Sequence, residues 1–234
     1  MIEIRSFASS SAGNAYLVTD GRSPLLLDCG LTIRELKVAT GHRLSTLAGC
    51  LVSHEHGDHA KAAADLMRAG VDCYMSRGTA DALGLSGHRL HIIHALKQLR
   101  IGNWTVLPFD TVHDAAEPLG FLLATGREKV LYLTDSAYCK YRFPGLMHIL
   151  IECNHSMDIL RARVESGALH PAMKRRIMQN HMSLDTVKGF LRANDLSRVR
   201  EIHLLHLSDG NSDAAQFERE IRSLTGKPVY VAEK

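Results

Sequence analysis

The stretch VSHEHGDHAKA, residues 52–62, places three histidines, a glutamate and an aspartate within six consecutive positions, directly after an apolar run. Imidazoles and carboxylates at this density form a ligand set for a borderline metal ion such as zinc or manganese, and a solvated turn has no use for them. At the end of the strand-like GCLVS, period-two geometry puts His54 and His56 on one side. The turn into the helix-like AKAAADLMRAG then carries Asp58 and His59 round to a neighbouring point. Two adjacent metal positions follow. A zinc protease of the His-Glu-x-x-His type is excluded by spacing, because position 58 is Asp and His59 comes one residue late, so Glu55 is not read as a general base. A histidine at 56 in place of an acid argues against a carboxylate-rich di-iron centre.

Outward from the hexad, short apolar runs bounded by polar turns recur: IEIRSFA, AYLV, PLLLDCG, AGCLVSH, VDCYMS, NWTVLPF, LGFLLAT, KVLYLTD, HILIEC, EIHLLHL and PVYVAE. Their length and flanks predict strands. Helical spacing predicts helices over 60–69, 78–85, 156–165, 171–179, 183–193 and 212–224, with Asp185 and Ser212 near two of the starts. So many strands with interspersed helices fit an α/β layered sandwich, two sheets covered by helices. No Pro/Ser linker, low-complexity tract or charge block divides the 234 residues, so a single domain over 1–234 is expected.

Composition bounds the function classes. Hydrophobic residues make up 45% and charged residues 23%, which excludes a disordered or fibrous chain. The net charge of +3 permits a polyanionic partner without demonstrating one. The first eleven residues alternate and contain Glu3 and Arg5, unlike a signal peptide, and no run approaches the ~18 apolar residues of a membrane span. Five cysteines without paired spacing, with Cys29, Cys50 and Cys153 in or beside apolar runs, fit buried thiols in a cytoplasmic protein.

The pattern His-x-His-x-Asp-His after a buried strand resembles the metallo-β-lactamase superfamily. That resemblance implies a four-layer αββα sandwich and further ligands at the ends of later strands. Asp28, ending PLLLDCG, is similar to the early acid that supports the metal loop without binding metal. His113 in TVHDAAEPLGF resembles the lone third histidine, Asp135 in LYLTDSAY the bridging carboxylate, and His206 in IHLLHLSDGN the final ligand. The implied assignment is His54, His56 and His113 on one metal and Asp58, His59 and His206 on the other, with Asp135 shared; the ions are Zn2+ or Mn2+. An Asp at the shared position, where Cys would indicate lactam hydrolysis, fits a phosphodiesterase or a thioester hydrolase.

The motifs SFASSSAGNAYLV, LLLDCG, HEHGDHAKA, LTDSAY, IECNHSMDIL, LHPAMKRRI, NHMSLDTV and LLHLSDGNSD resemble the YycJ/WalJ-type branch, compact phosphodiesterase-like proteins described as nucleases. Two departures stand out: Ser9-Ser10-Ser11-Ala12-Gly13-Asn14 replaces a Gly-Ser-Ser-Gly-Asn pattern, and Ser156 stands where Asp commonly follows Asn-His. The resemblance implies hydrolysis of phosphodiester bonds in nucleic acid through a metal-bridging hydroxide, with Asp58 and Asp135 orienting it. Cyclic-nucleotide phosphodiesterase and glyoxalase-type thioester hydrolase activity are the alternatives. A structural zinc module is disfavoured because such sites are four-coordinate and closed. Superfamily members often dimerise, so a homodimer is allowed.

Several residues are candidates for substrate contact or proton transfer. His181, before a helix-like segment, either places its imidazole near the leaving group or makes a local hydrogen bond. Asn154 and His155, at the end of HILIEC, either contact substrate or support Asp135. Ser11, Gly13 and Asn14 form a small-residue turn, read as a plain hairpin or as a phosphate contact. Arg161, Arg163, Lys174, Arg175 and Arg176 form a basic run that is a solvated face or, if it borders the cleft, a phosphate-steering surface in which Lys174 and Arg176 contact substrate. His203, three residues before His206 in a strand, faces the other side. Little aromatic interleaving for base stacking is apparent.

Overall fold

The computed structural model describes residues 2–233; Met1 and Lys234, the ends of the expected 1–234 domain, lie outside the described residues. The chain forms two compact units, one running to Asp110 and including Ala115–Glu128, the other comprising Thr111–Asp114 and Lys129–Ala232.

In the first unit, β1 (Glu3–Ser10) and β2 (Gly13–Thr19) form an antiparallel hairpin whose Ser10↔Gly13 pairing leaves Ser11 and Ala12 as the turn. β3 (Leu25–Leu27) is three leucines, all buried, as a strand covered on both faces must be. After α1 (Ile33–Ala39) come β4 (Gly49–Leu51), α2 (Gly57–Ala60), α3 (Ala63–Arg68), β5 (Cys73–Met75), α4 (Arg77–Ala82) and β6 (Leu90–Ile92). These strands make a six-stranded sheet in chain order, antiparallel through β3 and parallel from β3 to β6. β7 (Leu99–Ile101), β8 (Trp104–Asp110) and β9 (Leu119–Thr125) add an antiparallel meander. Trp104 is fully buried and its indole N–H donates to Ser23 O at 2.6 Å, so the large ring leaves no unpaired polar atom behind.

The second unit contains β10 (Glu128–Leu133), β11 (His148–Glu152), α5 (Met157–Glu165), α6 (Pro171–Asn180), α7 (Leu184–Ala193), β12 (Glu201–Leu205), α8 (Ala214–Thr225) and β13 (Val229–Val231). The four strands are parallel, with Leu133↔Ile151 and Glu152↔Leu205 in register, so the C-terminal ends of β10, β11 and β12 lie side by side. In an open parallel sheet that edge is where ligand-binding loops emerge. α7 buries Leu184, Val187, Phe190 and Leu191 at helical spacing, each worth about 1.5–3 kcal/mol of apolar burial. α8 is capped by Asp213, which accepts from Gln216 N, and closed by Gly226 at φ 66°, where glycine alone avoids the left-handed penalty.

All eleven apolar runs contain strands, and the fold class is α/β with two mixed sheets. The sequence reading missed β6, β7 and α1. β6 and β7 are three residues each, too short for periodicity to register. α1 carried a legible sign, the capping box of Thr32 and Glu35. The helix expected over 60–69 is two pieces; Asp185 and Ser212 lie near the starts of the last two helices, whose caps are Ser183 and Asp213. Cys29, Cys50 and Cys153 are fully buried as expected, and burial pushes the Cys50 and Cys153 thiols well above their ordinary range.

Candidate metal centre

Within the first unit the hexad forms two donor pairs. β4 ends at Leu51, so His54 and His56 come together through the irregular segment beyond it and not by strand alternation. His54 Nε2 lies 3.2 Å from His56 Nδ1, and His59 Nε2 lies 3.4 Å from Asp58 Oδ2. Two ligands at about 2.0–2.1 Å from a tetrahedral zinc sit about 3.4 Å apart, so each pair fits two donors on one ion.

The pairs are held from behind. Asp28 Oδ1 accepts from Ser53 N at 2.7 Å, while Oδ2 accepts from Ser53 Oγ at 2.9 Å and from His59 Nδ1 at 2.7 Å. A proton on Nδ1 leaves the His59 Nε2 lone pair for a metal, the usual carboxylate–histidine–metal arrangement. Asp28 does this at φ 57°, a strained conformation for a residue with a side chain. Asn14, fully buried, donates to Asp58 Oδ2 at 3.3 Å and lies 3.1 Å from His59 Nε2. Gly30 makes that approach possible, since a Cβ there would come within 1.7 Å of Asp58 O. Glu55 Oε1 accepts from Ala116 N at 2.7 Å.

The second unit builds its cluster from distant positions. Asp135 follows β10 and presents one oxygen in each direction: Oδ2 is 3.6 Å from His113 Nε2, and Oδ1 is 3.0 Å from His206 Nδ1. His113 Nδ1 donates to Asn180 O at 2.9 Å, which again leaves Nε2 as the ligand atom, and burial lowers its pKa. His206, at φ 50°, follows β12, and its carbonyl accepts from Asn154 Nδ2 at 3.0 Å. Beneath them lies Glu152, fully buried at the end of β11. Its Oε2 accepts from Ser136 N and Met182 N at 3.1 and 2.9 Å; its Oε1 is 2.6 Å from His181 Nδ1 and 3.2 Å from His206 Nδ1. Burial opposes charge on Glu152, but the His181 imidazolium and these hydrogen bonds hold its pKa below the usual value. Burial likewise works against a charged His181, yet the Glu152 carboxylate beside it raises the imidazole pKa. Asp135, Glu152, His181 and His206 offer donor atoms all within 4.8 Å of one another.

Among the expected substrate residues, Ser11 is exposed in the hairpin turn and Lys174 is half-buried on α6. Arg176 is exposed and pairs with Asp114, the neighbour of His113, at 3.2 Å. Asn14, Asn154 and His155 are buried at 0%, 7% and 1% exposure, and the amides of Asn14 and Asn154 donate to protein groups, Asp58 and the His206 carbonyl among them. Burial lowers the His155 pKa to about 4. His203 stands near Glu201 and Tyr230.

Glu152 was missed by the sequence reading, although a lone acid closing the apolar HILIE is a legible sign: a charge ending a buried strand must have a partner.

A family profile described as beta-lactamase superfamily domain matches residues 24–207. The chain is similar to the exodeoxyribonuclease WalJ of Streptococcus pneumoniae, at 30% identity over 223 residues covering 88% of this chain and 81% of that protein. It is also similar to the exodeoxyribonuclease YycJ of Bacillus anthracis, at 27% identity over 220 residues covering 88% and 82%. Among solved structures, the metallo-beta-lactamase fold protein YhfI from Bacillus subtilis superposes with a TM-score of 0.77 at 17% identity, covering 99% of this chain and 96% of that one. The expected metallo-β-lactamase fold is therefore present.

Proposed function

This chain belongs to the beta-lactamase superfamily and is a metal-dependent hydrolase, and from that premise we propose that it is a two-metal phosphodiesterase cutting nucleic acid, DNA first. The observation that carries the proposal is Asp135, a buried carboxylate with one oxygen toward His113 and the other toward His206. A carboxylate so placed has two oxygens with which to share two ions. The names of the relatives support DNA as substrate.

The proposed ligands are His54, His56 and His113 for one ion, Asp58, His59 and His206 for the other, and Asp135 for both. The nitrogen and oxygen donors suit Zn2+ or Mn2+. When bound, such ions activate water near neutral pH and neutralise charge on the attacked phosphate. The chain's own residues do the rest. Asp58 and Asp135 orient the attacking water. His181 donates a proton to the leaving oxygen, and the Glu152 carboxylate beside it favours the protonated ring by raising its pKa. Glu152 fixes the ring through Nδ1, leaving Nε2 to make the transfer. Ser11, Lys174 and Arg176 take the substrate's phosphates at the rim.

The proposed working unit is one domain over 1–234, as monomer or homodimer, in the cytoplasm, where its five free cysteines remain thiols. No described helix is long and apolar enough to cross a membrane.

The test is a panel of single-stranded DNA, RNA, cyclic mononucleotides and a glutathione thioester, each with Mn2+ or Zn2+. Turnover of DNA is expected. Thioester turnover with every phosphodiester untouched sinks the reading. Asp135→Ala and His113→Ala are each expected to lose bound metal, measured by elemental analysis, together with activity; retained activity in either disproves the ligand assignment.

A further inference from the structure

Just beyond Asp135 the chain reads Tyr138-Cys139-Lys140-Tyr141-Arg142, two phenols alternating with two cations. The segment is irregular but fixed at its root. Ser136 Oγ accepts from Val112 N at 2.9 Å and donates to Tyr138 O at 2.8 Å, and Ala137 N donates to Val112 O at 2.8 Å. It forms one wall of a 410 Å3 cleft in the second unit, and α7 forms the other through Thr186, Gly189 and Phe190. That volume lies within the range of roughly 300–1,000 Å3 that small-molecule sites occupy, enough for one nucleotide.

The chemistry of the lining selects the occupant. It includes Lys140 and Arg142 and no carboxylate, so it favours an anion. Tyr138 is 51% exposed, and Lys140 Nζ sits 5.1 Å from the centre of the Tyr141 ring. Rings for stacking with cations for phosphates are the composition that takes a single nucleic-acid strand without reading its sequence. Gly189 is a second sign. It sits inside α7, where glycine costs roughly 0.5–1 kcal/mol relative to alanine, and a Cβ there would meet nothing within 4 Å. The helix therefore leaves room where it lines the cleft.

We infer that this cleft seats one nucleotide of a single-stranded end, its base stacked on Tyr138 and its phosphates beside Lys140 and Arg142. Tyr138 is three residues from Asp135, at most about 11 Å of extended chain, so base and scissile bond belong to one strand. The inference rests on the phosphodiesterase reading and deepens it: the substrate is a polynucleotide strand and not a cyclic mononucleotide.

The experiment uses the full chain with Mn2+ and two substrates, a single-stranded oligodeoxynucleotide and bis(p-nitrophenyl) phosphate, which is too small to span both places. The readout is the ratio of kcat/KM for the oligonucleotide to that for the small diester. Tyr138→Ala is expected to lower the ratio by about 5- to 100-fold, the effect of removing one stacking ring. Tyr138→Trp should retain it. Gly189→Leu, which fills the cleft from the opposite wall, should lower it in the same direction. An unchanged ratio in Tyr138→Ala, with both substrates turned over, overturns the inference and leaves the phosphodiesterase reading standing. Equal losses on both substrates overturn it as well. Failure of the wild-type protein on both substrates overturns the reading itself, and the inference falls with it.

Discussion

The two units carry their candidate ligands in opposite ways. In the first, His54, His56, Asp58 and His59 lie within six residues, and the fold only has to orient what the chain already brings together. In the second, His113, Asp135 and His206 are spread over the ends of separate elements, and their meeting is itself the product of folding. Both units solve orientation the same way, with a buried carboxylate on an imidazole Nδ1. The division of labour differs: Asp28 holds one ring, His59, whereas Glu152 serves both His181 and His206. A dispersed cluster therefore depends more heavily on a single acid than a contiguous one does.

The largest break in that comparison is expected at His181. His181→Ala should slow DNA hydrolysis by about 10²- to 10⁴-fold, the span of general acid catalysis, and should slow a p-nitrophenyl diester far less, because its leaving group needs no proton. Equal losses on both would remove the proton-donor role. The sign of the pH dependence follows from the raised pKa: the imidazolium persists below it, so the rate falls as pH rises through it. In Glu152→Gln the opposing charge is gone, and that falling limb should move to lower pH.

Next come the two supporting acids. Asp28→Asn and Glu152→Gln are each expected to weaken metal binding by about 10- to 100-fold, the usual effect of losing a partner behind a ligand. Only Glu152→Gln should also shift the pH–rate profile, since Asp28 holds His59 whereas Glu152 holds the proposed proton donor His181. A shift in Asp28→Asn as well would show that the two acids are not divided as argued.

A further effect is expected on stability. His155 is buried and its pKa falls to about 4, below the roughly 6.5 of an unfolded histidine. Its folded value is the depressed one, so the stability it contributes is present above about pH 6.5 and is lost as pH falls toward 4. The loss is on the order of 3 kcal/mol. Denaturant unfolding of the metal-free protein at pH 7 and pH 4.5 checks it: His155→Gln should show a weaker acid dependence than the wild type, and identical dependences would remove His155 as the cause.

Legibility followed locality. Runs such as HILIE and KVLYL announced strands because three or four consecutive apolar side chains between polar flanks have the length of a buried strand. β6 and β7 were silent because three residues carry no period. α1 was overlooked although Thr32 and Glu35 spell its start. Glu152 was quoted within a motif and passed over, and the ring-and-cation alternation at 138–142 escaped notice because it is neither a strand nor a helix and has no period to detect.

The chain by itself determined the donor types, their order and the two pairs in HEHGDH, because adjacent residues cannot be far apart whatever the fold. Tertiary structure alone decided which nitrogen of His59 and of His206 is left for a metal, since that depends on Asp28 and Glu152 reaching Nδ1 from distant strands. It also decided that Asn14 and Asn154 reach Asp58 and the His206 carbonyl from inside the protein and that His155 is buried, because burial is a property of packing and no spacing along the chain encodes it.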